Sequence, residues 1–279
     1  MHAEINGVSL YYEETGGGYP LIFSHEFAGD YRSWEPQVRF FSRTYRCITL
    51  SHRGYPPSSV PEDPAAYSQD HMIEDLAGLA SHLGIQQAHW MGCSMGAQGV
   101  LMLSMRYPEL CRATIVVGCG SGSVNHDAFV ANAAENARLV RERGMQYLVE
   151  NTTGSPTRSA YRDKDPRGWA EFRQQLAEHS ATGSALTYLG VQRLRPTVMQ
   201  LGQELRALRV PTLLVIGDQD EACVDANIFM RHQCPTAGLV VLPRTGHTVN
   251  LEEPDLFNDI TLRFLNSVEA NRWLTPAEL

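Results

Sequence analysis

The segment Gly92–Gly96, with the sequence GCSMG, constrains this chain more than any other five residues. It lies between a strand-like run, residues 88–91, and a helix-like run, residues 95–106. A serine at such a junction can occupy a tight, strained turn that holds its hydroxyl clear of the backbone at the end of a sheet. The two glycines leave room for the neighbouring strand and helix. The segment therefore predicts that Ser94 is a nucleophile, provided that the surrounding sequence has the matching architecture.

Short apolar runs alternate with helical patterns along most of the chain. Helical spacing of apolar residues occurs over residues 68–83 and again after Pro254. Such alternation predicts a mostly parallel central sheet with helices on both faces. The strand-like runs lie near residues 8–12, 21–23, 47–50, 113–117, 212–216 and 239–242.

Residues 121–204 interrupt this alternation. They contain no strand-like run and are rich in helix-forming residues. We therefore expect a core made of residues 1–120 and 205–279, with a helical lid, residues 121–204, inserted into it. A chain of 279 residues is long enough for one such α/β domain with an insertion.

Two further loops carry the residues that a serine nucleophile needs. The hydroxyl requires a base to take its proton, and the base requires an acid that holds its tautomer. Asp218 and Asp220 follow the run at residues 212–216, and His247 follows the run at residues 239–242. Because the carboxyl ends of parallel strands meet at one edge of a sheet, both loops can reach the serine.

These features together resemble the lid-bearing α/β-hydrolase fold family of serine hydrolases over nearly the whole chain. The resemblance implies esterase, lactonase or carbon–carbon hydrolase chemistry without a cofactor. It favours Asp220, the second aspartate of Gly-Asp-x-Asp, as the acid, and leaves a turn-capping role open for Asp218. The matching pieces are the loop at His25, the turn Arg53–Tyr55, the elbow Gly92–Gly96, Gly217–Asp220 and Gly246–His247.

The resemblance also implies an oxyanion hole built from the backbone N–H groups of Phe27 and Met95. His25 is expected either to order the loop that carries Phe27 or simply to pack. Glu26 stands where the family usually has glycine, and an ionised carboxylate there would oppose a developing negative charge. Two interpretations remain open: Glu26 points away and binds backbone or Arg53, or it contacts substrate and tunes the site.

Cysteines and histidines give no sign of a metal site. The six cysteines form no Cys-x-x-Cys pair, and no histidine spacing resembles a zinc motif. Cys93 adjoins Ser94, but the central elbow position points outward, so Ser94 remains the expected nucleophile. No metal and no cofactor are expected.

Charge and hydropathy limit the partners that we expect. The formal net charge of −8 disfavours nucleic acid and anionic membranes. No apolar run approaches the roughly 18–20 residues that span a bilayer. The first residues lead directly into a strand pattern without a signal segment, so we expect a cytoplasmic protein that binds a small-molecule substrate. A homo-oligomer is possible.

The sequence therefore predicts a cofactor-free serine hydrolase that acts through an acyl-enzyme on a small carboxylic ester or lactone. One alternative uses the same machinery to cleave a carbon–carbon bond in diketone ring-cleavage products. Another, from a different class, is a receptor-like protein that retains the pocket but has little turnover.

Overall fold

An eight-stranded sheet forms the centre of the computed structural model, which describes residues 1–273. The strand order is β1-β2-β4-β3-β5-β6-β7-β8, and β2 is antiparallel to both of its neighbours, whereas the other pairs are parallel. The strands are β1 (His2–Ile5), β2 (Val8–Thr15), β3 (Tyr19–Ser24), β4 (Tyr45–Leu50), β5 (Ala88–Cys93), β6 (Cys111–Val117), β7 (Thr212–Gly217) and β8 (Ala237–Leu242).

Burial along the strands explains their sequence patterns. Every residue of β5 and β7 is buried, because helices cover both faces of the central sheet, and most residues of these strands are apolar. In the antiparallel strand β2, buried residues alternate with more exposed ones over its first half. The predicted fold class, a mostly parallel sheet flanked by helices, is confirmed.

Helices pack on the two faces of this sheet. Ser68 caps the helix predicted over residues 68–83 by accepting the His71 N–H (3.0 Å), and the apolar helix after the elbow is buried as predicted. The α-helices are α1 (Glu35–Phe41), α2 (Gln69–His82), α3 (Met95–Arg106), α4 (His126–Thr153), α5 (Ser159–Lys164), α6 (Pro166–Ala177), α7 (Ala181–Thr187), α8 (Gly202–Ala207), α9 (Glu221–Gln233), α10 (Val249–Glu252) and α11 (Pro254–Glu269).

Shorter helical turns connect several of these elements. They comprise 3-10 helices at Tyr31–Trp34, Pro64–Ala66, Pro108–Leu110 and Pro156–Arg158, and a π-helical turn at Tyr188–Gln192.

The chain between β6 and β7 is helical, as predicted. Helices α4 to α7 share an apolar cluster that includes Val140, Leu148, Trp169, Phe172 and Leu176. Helix α4 is broken at Gly144, whose φ of 70° interrupts the helical backbone. Helix α8 packs against α9. The division into core and lid stays a prediction, and residues 274–279 of the expected core lie outside the described part of the chain.

No helix within residues 1–273 combines the length and the apolarity needed to cross a membrane.

Candidate active site

Ser94 occupies a strained turn between β5 and α3. Its backbone has φ 52° and ψ −108°, a region that side-chain-bearing residues seldom adopt. The Ser94 N–H donates to the Val117 carbonyl (2.8 Å), which ties the turn to the neighbouring strand. A Cβ on Gly92 would collide with the Gly96 carbonyl, and a Cβ on Gly96 would collide with the Ser24 carbonyl. The two glycines of the motif are therefore required by close backbone approach.

Three loops at the carboxyl ends of β5, β7 and β8 bring together the serine, aspartate and histidine. His247 Nε2 lies 2.9 Å from Ser94 Oγ, and His247 Nδ1 lies 2.6 Å from Asp220 Oδ2. Asp220 and His247 are buried, whereas Ser94 is partly exposed. This hydrogen-bonded chain has the arrangement of a nucleophile, a base and an acid that orients the base.

The charge state of this chain follows from opposing effects. Burial lowers the pKa of His247, but the Asp220 carboxylate outweighs burial and holds that pKa well above its usual value. Burial likewise raises the pKa of Asp220, and His247 lowers it by more. The pair therefore favours an ionised carboxylate beside an imidazole with a strong affinity for a proton.

The two aspartates of the Gly-Asp-x-Asp loop have different roles. Asp218 is exposed, and its Oδ1 accepts the Thr245 N–H at 3.2 Å. It therefore links two loops from the surface. Asp220 is the aspartate whose carboxylate meets His247, as the resemblance implies.

Two cysteines lie close to the site. Cys93 is buried, and burial raises the pKa of its thiol well above the usual value, so this thiol stays protonated beside Ser94. Sequence reasoning missed Cys223, one helical turn after Asp220. Its sulfur lies with donor atoms of Asp220 and His247 in a group whose members are all within 4.8 Å of one another. These ligand types could hold a thiophilic metal, although the same aspartate and histidine already bond each other.

His25 fixes the loop that follows β3. Its Nε2 accepts the backbone N–H of His52 (3.0 Å), so the proton lies on Nδ1, which donates to the Glu26 carbonyl (2.7 Å). Burial lowers the pKa of His25 to about 4. A neutral imidazole thus joins the loop after β3 to the loop after β4, and ordering of the loop that carries Phe27 stays one of the two roles predicted for His25.

One predicted oxyanion donor, Met95, directly follows Ser94 in the nucleophile turn, and the other, Phe27, packs against the cluster that contains Met95. Phe27 follows Glu26 in a turn closed by the bond from the Gly29 N–H to the Glu26 carbonyl (3.1 Å), and Met95 is the first residue of α3. Within residues 1–273, neither N–H has a protein acceptor. Both are therefore available to a substrate oxygen, and their role in an oxyanion hole stays a prediction.

Glu26 forms a buried ion pair with Arg158. Nη1 of the arginine lies 3.0 Å from Oε1, and Nη2 donates to Oε2. The expectation that Glu26 binds Arg53 is wrong, because Arg53 forms two bonds to Asp75 (2.6 and 2.7 Å). Burial raises the pKa of Glu26, and Arg158 lowers it by more, so Glu26 is ionised.

Sequence reasoning missed Arg158 and its neighbours. The Thr157 carbonyl accepts the His247 N–H (2.9 Å), so the turn Pro156–Arg158 touches the histidine loop as well as Glu26. The Glu252 carboxylate accepts the N–H groups of Gly246 (2.6 Å) and Thr248 (3.0 Å) on either side of the histidine. No local sequence signal distinguishes these residues from surface charges.

Comparison with known proteins identifies the family of the chain. A family model described as alpha/beta hydrolase fold matches residues 19–254. The chain therefore belongs to the α/β-hydrolase fold family, and the predictions of the family and of a hydrolase enzyme are confirmed.

Individual relatives extend over most of the chain. The curated protein 3-oxoadipate enol-lactonase 2 of Acinetobacter baylyi is 28% identical over 241 residues, which cover 85% of each chain. The solved enol-lactonase of Burkholderia xenovorans LB400 is 25% identical with a TM-score of 0.83 and covers 95% of this chain and 100% of its own. A thermophilic esterase from Thermogutta terrifontis is 26% identical with a TM-score of 0.86 and covers 96% and 99%.

Proposed function

We propose that this protein hydrolyses a small carboxylic ester or lactone through an acyl-enzyme formed on Ser94. The observation that carries the proposal is the continuous hydrogen-bonded chain from Ser94 through His247 to Asp220. The relatives named enol-lactonase and esterase support this choice of substrate class.

The proposed reaction has two halves. As Ser94 Oγ attacks the acyl carbon, His247 Nε2 takes its proton, and the N–H groups of Phe27 and Met95 stabilise the oxyanion. The intermediate collapses, and His247 returns the proton to the departing alcohol oxygen. A water that gives a proton to His247 then attacks the acyl-enzyme, which releases the acid and regenerates the Ser94 hydroxyl.

The ion pair with Arg158 explains how a glutamate can sit beside this oxyanion site. Because the guanidinium neutralises Glu26 at close range, its carboxylate opposes a negative charge on the substrate much less than an unpaired one would. We therefore assign Glu26 to loop positioning and electrostatic tuning and exclude it from direct proton transfer.

A fluorophosphonate probe and p-nitrophenyl acetate test the proposal together. Wild type should be labelled at Ser94 and should hydrolyse the ester, and Ser94→Ala should lose both properties. His247→Ala should label much more slowly. Equal labelling of wild type and His247→Ala would contradict the role of the histidine, and no labelling of wild type would favour the receptor-like alternative.

A substrate panel separates the ester and lactone proposal from its carbon–carbon alternative, which uses the same three residues. The panel should contain a p-nitrophenyl ester, an enol lactone and a vinylogous diketone. We expect the first two to be turned over with the higher kcat/KM. A preference for the diketone would replace the proposed substrate class.

A further inference from the structure

Cys223 lies at the buried end of the hydrogen-bonded chain that runs from Ser94 to Asp220. It follows Asp220 by one helical turn in α9, and its side chain is fully buried. Its Sγ, a carboxylate oxygen of Asp220 and a ring nitrogen of His247 all lie within 4.8 Å of one another. The Cys223 N–H donates to the Asp220 carbonyl (2.8 Å), so the first turn of α9 fixes the two residues relative to each other.

The three side chains are a suitable ligand set for a thiophilic divalent cation. Thiolate, imidazole and carboxylate are the ligands that zinc takes in proteins, and soft thiolate ligands favour such ions over magnesium or calcium. Zinc bonds of about 2.0–2.3 Å place two tetrahedral ligands about 3.3–3.6 Å apart. The 4.8 Å limit on the present atoms is only about 1 Å longer, a difference that side-chain rotation can remove.

Two of the ligand atoms are not committed to strong partners. The hydrogen bond between Asp220 and His247 uses only Oδ2, and within residues 1–273 no hydrogen-bond donor contacts Oδ1 of the carboxylate. In the same part of the chain, the Cys223 sulfur has one hydrogen-bond partner, the Ser121 hydroxyl at 3.2 Å. Sulfur forms only weak hydrogen bonds, so a cation that binds it displaces little.

The third ligand, His247, cannot bind a cation and act as the base at the same time. Nδ1 lies 2.6 Å from Asp220 Oδ2, closer than two ligands of one ion, so a cation bound to both must separate them. A cation on Nδ1 also leaves the imidazole proton on Nε2, the nitrogen that lies 2.9 Å from Ser94 Oγ. Nε2 then cannot take the serine proton.

We propose that Asp220, Cys223 and His247 form an inhibitory site for a thiophilic divalent cation such as Zn²⁺ or Cd²⁺. The cation replaces the bond between His247 and Asp220 and binds the Cys223 sulfur, whose proton passes to solvent. A water beside the Ser121 hydroxyl completes the tetrahedral shell. The inhibition rests on the hydrolase function proposed above, whereas the cation site itself does not.

Zinc chloride and p-nitrophenyl acetate test the inhibition. After incubation with Zn²⁺, wild type should lose most of its activity, and a chelator should restore it. Cys223→Ala lacks the sulfur ligand, so half-inhibition should require at least about tenfold more Zn²⁺. Each variant is compared with its own activity without Zn²⁺, so a change in the basal rate cancels.

Cys119→Ala is the matched control. Cys119 is also fully buried, but within residues 1–273 it belongs to no comparable group of ligand atoms. Because both variants exchange a buried thiol for a methyl group, a general effect of that exchange would appear in both. Cys119→Ala should keep the wild-type sensitivity to Zn²⁺.

Binding of Cd²⁺ reports on the site without any need for activity. A bond between cadmium and a thiolate gives a charge-transfer band in the ultraviolet. Wild type and the inactive variant Ser94→Ala should both show this band, because Ser94 is not one of the ligands. The band should be lost in Cys223→Ala and kept in Cys119→Ala.

Three results would overturn the cation site. They are a wild type with neither inhibition nor the cadmium band, a Cys223→Ala variant as sensitive as wild type, and an equal loss of sensitivity in Cys119→Ala. If wild type hydrolyses the ester in a Ser94-dependent manner but the band does not form, this inference fails and the proposed hydrolase function stands. If the band depends on Cys223 but wild type hydrolyses no ester, the cation site stands and the proposed function fails.

Discussion

Ser94 has a strained backbone conformation that contacts with neighbouring residues hold in place. A non-glycine residue at positive φ costs on the order of 1–3 kcal/mol, so the conformation persists only where surrounding contacts enforce it. Here the bond to the Val117 carbonyl and the close approaches at Gly92 and Gly96 enforce it. In this conformation the Ser94 hydroxyl oxygen lies 2.9 Å from His247 Nε2.

The two aspartates of one loop give a matched test of the acid. Asp220 raises the pKa of His247, and His247 acts as a base only when neutral, so kcat/KM should rise with pH along a limb centred above about pH 6.5. Asp220→Asn should lower kcat by roughly 10³–10⁴ and move the limb to lower pH. The measurement is a pH–rate profile with a p-nitrophenyl ester.

Asp218→Asn is the control for that profile. It alters an exposed carboxylate whose one bond among residues 1–273 is to the Thr245 N–H, so kcat should stay within a few-fold of wild type and the limb should not move. Equal effects of the two substitutions would contradict the assignment of Asp220 as the orienting acid.

Glu26→Gln tests the ion pair beside the proposed oxyanion site. The variant leaves Arg158 as a buried cation without its partner, which should cost about 3–5 kcal/mol of unfolding free energy. The change in charge should also alter kcat or its pH profile more than tenfold. Urea denaturation and kinetics from pH 5 to 9 measure the two effects.

A second variant separates charge from packing at this pair. Glu26→Gln combined with Arg158→Met removes both charges and should recover much of the lost stability. If Glu26→Gln itself keeps wild-type kinetics across pH 5–9, the tuning role is wrong.

At the scale of elements, the histidine loop is held from two directions. The turn Pro156–Arg158 accepts the His247 N–H, and Arg158 also packs over the Phe172 ring at 5.1 Å. On the other side, Glu252 of α10 accepts two backbone N–H groups of the loop. The turn Pro156–Arg158 and the short helix α10 thus determine where the loop after β8 places the side chain of His247.

Substitutions of the neighbouring residues Glu252 and Glu253 test whether Glu252 positions the histidine loop. Glu252→Gln weakens the bonds to Gly246 and Thr248, so kcat should fall roughly tenfold with little change in KM, because the misplaced base affects the transition state more than binding. Glu253→Gln removes only a partly exposed pair with Lys164 (2.5 Å) and should change neither parameter appreciably. Loss of activity in both variants, or a rise in KM alone, would argue against a positioning role.

At the scale of the whole molecule, buried titratable groups predict sensitivity to acid. Burial lowers the pKa of His25 and His89 to about 4, so the unfolded chain takes up protons at these residues below about pH 6.5 while the folded chain does not. Glu26 and Asp220 also have lowered pKa values, and their contributions are lost as pH falls below about 4.

The titration of His247 has the opposite effect on stability, but it acts above about pH 6.5. Its raised pKa contributes stability that is complete below about pH 6.5 and is lost as pH rises through the folded-state pKa. The unfolding free energy should therefore fall between pH 6.5 and 4, by about 3 kcal/mol for each buried histidine at most. Urea denaturation at pH 7, 5.5 and 4 measures it. Constant stability over that range would contradict the prediction.

The sequence predicted the residues whose neighbours in the chain reveal them. Ser94, Asp220 and His247 each follow an apolar strand, and that local context was enough to place them at one edge of the sheet. The helices from residue 121 onward were recognised by composition. The partner of Glu26 was not predicted, because Arg158 lies 132 residues away and resembles any other charged residue of a helical segment.

Local pattern by itself predicted most of the strands, the helices α2, α3 and α11, the nucleophile turn, and the loops that carry Asp220 and His247. Those features depend on backbone propensity, apolar periodicity and glycine geometry, which act over a few residues. Only the tertiary structure decided the pairing of Glu26 with Arg158 and the support of the histidine loop by Glu252. Each of these brings together buried polar groups from distant segments, and burial and pairing are properties of the packed chain.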